Sequence, residues 1–105
     1  MELQSAKQRT IKDVKNDDFR IQIIGYVKKV LDNNYFLLTD KTGEIKVNLK
    51  DLDFKFKEND LINVIGDLNI NTKGEMEFTA DIVQDMNNLN FKYYIKLYDL
   101  KKEIG

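Results

Sequence analysis

Apolar residues recur at every second position along much of the chain, beginning with Phe19, Ile21 and Ile23 and passing through Gly25 to Val27. A period of two predicts a long strand, and the glycine predicts a bulge that lets it curl. Asp32-Asn33-Asn34 has turn chemistry. Tyr35-Phe36-Leu37-Leu38 then reads as a short second strand, closed by a turn at Asp40-Lys41-Thr42-Gly43. Over 44–50 the alternation is strict, with Ile45, Val47 and Leu49 on the core face and Lys46, Asn48 and Lys50 on the other. Residues 51–60 carry Phe54 and Phe56, which predicts an ordered connector with one helical turn whose aromatics plug the end of the structure. Leu61–Ile70 is a fourth strand interrupted by Gly66, followed by a turn at Asn71-Thr72-Lys73-Gly74. Met76, Phe78, Ala80 and Ile82 form the inward set of a fifth strand.

A long bulged strand, a short hairpin, an aromatic connector and a second hairpin match a five-stranded Greek-key barrel of the oligonucleotide/oligosaccharide-binding (OB) kind. A small SH3-like barrel is the rival, but it seldom needs an aromatic connector between its third and fourth strands. The period changes to 3.6 over 89–103, so one helix ends the all-β barrel, with Asn87 or Asn88 as N-cap. Ahead of the first strand the pattern is weak; Thr10, Ile11 and Val14 are expected to tie this arm to the barrel's edge. The expectation is one domain over 1–105, comprising an arm (1–16), a barrel (17–86) and a C-terminal helix (87–105).

At about 100° per residue, Leu89, Tyr93, Leu97, Leu100 and Ile104 fall in one stripe of the helix and Phe91, Tyr94, Ile95 and Tyr98 in a second beside it. A helix that only covers a barrel needs an apolar arc of about 100° or a little more, and these two stripes exceed it. Only Lys92, Lys96, Asp99 and Glu103 form a clear solvent face. Either the wide arc lies in a groove between barrel and arm, or one stripe meets other subunits. The spacing of four, four, three and four in the first stripe is close to a heptad seam and favours other helices as partners.

Composition removes several function classes. Cysteine and histidine are both absent, so disulfides, thiolate metal sites and the commonest catalytic base are unavailable. Asp13, Asp17, Asp18, Asp81 and Asp85 lack the spacing of a calcium loop or a paired-carboxylate site. No nucleophile-base set or phosphate loop is present. We therefore expect a non-enzyme with no cofactor, no metal and no small-molecule substrate. No apolar run approaches the eighteen or so residues that span a bilayer, and the first residues have no signal-peptide core, so no membrane partner is expected. The expected location is intracellular, nuclear in a eukaryote and cytoplasmic in an archaeon.

Net charge is −1, so nothing draws a polyanion in from a distance and any nucleic-acid contact must be local. Arg9 and Arg20 are the only arginines among 17 basic residues, which argues against bidentate reading of bases. The residues expected on a strand-binding face are Tyr26, Lys28, Tyr35, Lys46, Asn48, Lys50 and Lys73, with the two tyrosines as stacking rings; a plain solvated face is the competing reading. Phe36, Phe54, Phe56 and Phe78 are expected in the core.

Thr10-Ile11, Ile24-Gly25-Tyr26-Val27, Asp40-Lys41-Thr42-Gly43, Val64-Ile65-Gly66-Asp67-Leu68 and Asp85-Met86-Asn87 resemble, in that order, the middle subunit of replication protein A. The chain's size is closer to the small subunit of that complex, to archaeal single-barrel relatives, or to small partners in telomere-capping complexes. The resemblance implies other OB-fold subunits as partners, held through a helical bundle to which Leu89, Phe91, Tyr93, Tyr94, Leu97, Tyr98, Leu100 and Ile104 would contribute. It also implies single-stranded DNA as the ligand of the complex, in replication, repair or telomere maintenance. At the family's two stacking positions this chain has Lys50 and the Ile70-Asn71 neighbourhood, neither aromatic, so the barrel's own strand contacts are expected to be weak and sequence-independent. An autonomous strand-binding module and a pure protein-interaction barrel are the alternatives.

Overall fold

Alternation becomes a closed barrel here because one long strand is shared between two neighbours. The computed structural model describes residues 6–50 and 52–104. Its elements are β1 (Lys7–Gln8), β2 (Arg20–Val30), β3 (Tyr35–Thr39), β4 (Glu44–Asn48), β5 (Leu61–Ile70), β6 (Met76–Asp85) and the helix α1 (Phe91–Ile104), with a single 3-10 turn at Ile11–Asp13. The first half of β2 runs antiparallel to β5, from Arg20 opposite Asp67 to Tyr26 opposite Leu61. Its second half pairs with β3. β3 pairs with β4, β6 with β5, and a short parallel seam between β4 and β6 closes the five-stranded OB barrel at Val47–Phe78 and Asn48–Thr79.

Inside sit Ile21, Ile23, Val27, Phe36, Leu38, Val47, Leu49, Ile62, Val64, Leu68, Phe78 and Ala80. The connector behaves as an aromatic plug, with Phe54 stacked on Phe36 at 4.5 Å and Phe56 5.5 Å beyond it. It contains no helical turn among the described residues 52–60, and Asp51 lies outside them.

Several expectations are corrected. The bulge of β2 lies between Val27 and Lys29 rather than at Gly25. Gly25 instead makes room for a neighbour, since a Cβ there would stand 2.6 Å from the Thr39 carbonyl oxygen. Phe19 precedes β2 and is 74% exposed. In β6 only Phe78 and Ala80 of the predicted inward set are buried; Met76 and Ile82 are exposed. The cause is a second bulge: Ile65 faces Ile82 and Gly66 faces Ala80, which leaves Asp81 unpaired. One inserted residue inverts the parity beyond it, so Val83 packs on the core in place of Ile82. Met76 pairs with Ile70 at the tip of the β5–β6 hairpin, beyond the reach of the interior.

The arm is built in rather than draped. β1 adds a parallel edge to β2 at Lys7–Ile21 and Gln8–Gln22, and Ile11 and Val14 pack on the core. Residues 1–5 of the arm lie outside the described residues, as does Gly105 of the predicted helix. Asp18 holds the arm's return: its buried carboxylate accepts two hydrogen bonds from the Arg9 guanidinium, each 3.1 Å, and one from the Lys15 amide at 2.9 Å. The Arg9 bonds, against the opposing effect of burial, hold the Asp18 pKa below its ordinary value. A depressed carboxylate pKa stabilises the folded state above the ordinary value of about 3.9 and loses that contribution as pH falls through the folded value. Asp18→Asn is therefore expected to cost about 1–3 kcal/mol near neutral pH, with the gap between variant and parent closing below about pH 4. Urea titrations across that range check this; a gap unchanged by pH would contradict the ion-pair account.

Candidate nucleic-acid interface

The outer face of the β3–β4 hairpin meets the β5–β6 turn across a groove of about 340 Å³. Tyr35 and Lys46 form one wall, and Asn71, Thr72, Lys73, Glu75, Met76 and Glu77 the other. On both strands the alternation turns these side chains outward while Phe36 and Val47 fill the core. The turn opposite is stiff: Asn71 Oδ1 accepts the Lys73 and Glu75 amides at 2.9 and 3.0 Å, and Gly74 takes a φ of 80° that suits glycine. The Lys46 ammonium lies 4.3 Å from the centroid of the Tyr35 ring, a cation–π contact. Asn48 donates to Glu77 Oε1 at 2.8 Å and so joins the two walls beside the seam. Two lysines face two glutamates in this groove, which leaves it with little net charge.

Of the residues expected on a strand-binding face, Tyr35, Lys46 and Lys73 line this groove and Asn48 borders it through Glu77. The others do not. Tyr26 is under α1, edge-on to Phe91 with ring centroids 5.1 Å apart. Lys28 is paired with Glu44. Lys50 is exposed just past β4, at a φ of 52° with its amide on Asn48 Oδ1, and does not line the groove. The sequence reading missed Met76, Glu75 and Glu77 as wall residues. The hairpin turn at 71–74 was the available signal, because it sets Met76 opposite Ile70 at the exposed tip. Among the described residues no group of three or more His, Cys, Asp or Glu side chains is placed to hold a metal ion.

The helix is seated by its second stripe. Phe91 is buried with Ile24 and Leu61, and Tyr94, Ile95, Tyr26, Met86 and Leu89 complete that cluster. Its N-cap is Asn90, not Asn87 or Asn88: Asn90 Oδ1 accepts the Tyr93 amide at 3.0 Å. Asn87 instead accepts the Leu61 amide at 2.8 Å and pins the linker to β5. The arm grips the helix from the other side. Gln8 donates to the Tyr94 hydroxyl at 2.7 Å, while Asp13 accepts from the Tyr98 hydroxyl at 2.8 Å and from Lys102 at 2.9 Å. Burial works against the Asp13 carboxylate, yet the Lys102, Tyr98 and Thr10 hydrogen bonds outweigh it and lower its pKa. Phe91, Tyr94 and Tyr98, and with them Leu89 of the first stripe, which precedes α1, thus face the chain's own barrel and arm rather than a partner. Tyr93, Leu97, Leu100 and Ile104 do not; they are 59%, 39%, 51% and 79% exposed, a continuous apolar stripe open to solvent.

Solved structures share this architecture. A chain of the S. pombe Stn1-Ten1 complex superposes with a TM-score of 0.77 at 14% identity, covering 97% of this chain and 96% of that one. The telomere capping protein Ten1 from Saccharomyces pombe gives 0.75 at 16% identity, covering 94% and 99%. A chain of a replication protein A heterotrimer bound to single-stranded DNA gives 0.58 at 15%, covering 73% and 63%. At such identities the likeness is one of fold. No curated protein matches the chain in sequence. The motif resemblance to replication protein A accordingly holds at the level of the barrel, and the finer family assignment shifts: the model of the bacterial OB-fold (BOF) proteins matches residues 3–86, which take in most of the arm and all five barrel strands, and the chain belongs to that family.

Proposed function

We propose that this protein is a non-catalytic OB-fold subunit of a single-stranded DNA-binding complex, assembling with other OB-fold subunits through the exposed stripe of α1 and adding weak, sequence-independent contacts of its own to the strand. The observation that carries this reading is the division of labour on α1, where one stripe seats the helix and a second is left open. The fold neighbours support it, since they include a chain of a two-protein complex and a chain of a heterotrimer bound to single-stranded DNA. The groove between β3, β4 and the β5–β6 turn is the strand site, as it lies on the face and loop that OB barrels use for oligonucleotides. A base would stack on Tyr35 in place of the Lys46 ammonium, which would move to a phosphate.

The reading is tested by titrating labelled oligo-dT at two salt concentrations, with the chain alone and with its partners. Tyr35→Ala is expected to weaken strand binding by about 1–3 kcal/mol, the worth of one stacked base. Lys73→Glu is expected to flatten the salt dependence by about one ion. Strand affinity untouched by both variants would remove the groove from the proposal. A second reading, a protein-interaction barrel without strand contact, is favoured by Glu75 and Glu77, whose charges oppose Lys46 and Lys73; no detectable oligo-dT binding by the assembled complex would establish it.

A further inference from the structure

A second cavity, of about 490 Å³, lies between α1 and the β3–β4 turn and shares no residue with the strand groove. Its floor is apolar, made by Phe91 and Ile95 one helical turn apart. Its rim carries three lysines, Lys41 on the turn and Lys92 and Lys96 on the helix. Among the described residues none of the three lysines has a carboxylate within ion-pair distance.

The single acid in the lining, Asp40, offsets one of the three positive charges and leaves the site cationic. Asp40 is 1% exposed and fully engaged: its Oδ2 accepts the Ile11 amide at 2.7 Å, and its Oδ1 accepts the Thr42 amide at 2.9 Å and the Thr42 hydroxyl at 2.6 Å. The same bonds fix the turn and hold Lys41 at a φ of 74°, in the left-handed region that a lysine seldom adopts. The ammonium is therefore presented by a braced turn. In a chain of net charge −1, an apolar floor ringed by three lysines that have no ion pair among the described residues is a local exception.

We propose that this cavity docks an acidic peptide segment of a partner protein, with one aliphatic side chain seated over Phe91 and Ile95 and flanking carboxylates meeting Lys41, Lys92 and Lys96. The volume suits one or two side chains together with their backbone. Charge complementarity selects an anionic occupant, and the floor separates peptide from nucleic acid. Phe91 is buried and enclosed by Tyr26 and Tyr94, so it offers no open ring face on which a base could stack. The proposal stands whether or not the strand groove binds DNA.

The test is fluorescence anisotropy on the full chain with a short labelled peptide in which aspartates flank two leucines. Binding is expected to weaken about tenfold or more in Lys92→Glu with Lys96→Glu. It is expected to weaken similarly when the leucines of the peptide are replaced by serine, and to be unchanged by Tyr35→Ala. Should the double reversal fail to fold by circular dichroism, Lys41→Glu on the turn supplies the same reading. No binding by the parent chain, or binding indifferent to the lysine variants or to the serine replacement, would overturn the proposal. Displacement of the peptide by oligo-dT, with oligo-dT affinity itself lost on lysine reversal, would assign the cavity to nucleic acid instead.

Discussion

Gly66→Ala is expected to be the most damaging single-methyl change in the protein, costing about 3 kcal/mol or more and lowering the melting midpoint by about 10 °C or more. A Cβ at this position would stand 1.9 Å from the Thr79 carbonyl oxygen and under 3 Å from the Thr79 carbon and the Ala80 Cα. All three atoms are backbone, so no side chain can swing aside; β6 itself must retreat from β5. The site is also the bulge where Gly66 faces Ala80 across Asp81, so the displacement falls where the register of β6 is set. With a typical domain stable by only about 5–15 kcal/mol, such a loss takes a large share. Gly74→Ala is the control: its φ of 80° costs an alanine about 1 kcal/mol, while the space around it is open. Urea denaturation of the two variants decides the point, and equal losses would mean that close strand approach is not what Gly66 provides.

Leu97→Asp combined with Leu100→Asp is expected to abolish co-purification with partner subunits while leaving the melting curve of the isolated chain nearly unchanged. Both side chains stand in the exposed stripe and outside either core cluster, so within the monomer their replacement costs little, about 0.5 kcal/mol each. In an assembly that buries the stripe, each half-exposed leucine would contribute about 1 kcal/mol of further burial, and each aspartate would place a charge in an apolar contact. Affinity should fall by several orders of magnitude. An intact complex would exclude the stripe as the assembly surface, and a broadened or lost melting transition would show that it serves the monomer.

What could be read ahead of the structure follows from where local pattern and tertiary constraint agree. β4, β5 and both hairpin turns were legible because alternation and turn chemistry act within a few residues, and the two stripes of α1 were legible because helical geometry alone separates them. Ile82 was misplaced because the bulge at Asp81 answers to Gly66 on the neighbouring strand, not to anything in β6. Tyr26 was expected as an open ring for a related reason: alternation turned it outward correctly, but that part of the outer face lies beneath α1. Asn90 was passed over as N-cap in favour of Asn87 or Asn88, and the amide oxygen of Asn87 is used by Leu61 of β5. In the groove, Tyr35 and Lys46 share an outward face by periodicity, whereas Glu75, Met76 and Glu77 arrive there through the fold of a different hairpin.

The grip of the arm on α1 also bears on the order of folding. Gln8 and Asp13 find their helix partners 85 to 89 residues further along, at Tyr94, Tyr98 and Lys102. Asp13 also has a local partner in the Thr10 hydroxyl, but its bonds to the helix close loops of that full length, at a cost in chain entropy. The arm is therefore expected to acquire its last hydrogen bonds late in folding, after the barrel that seats α1 has formed.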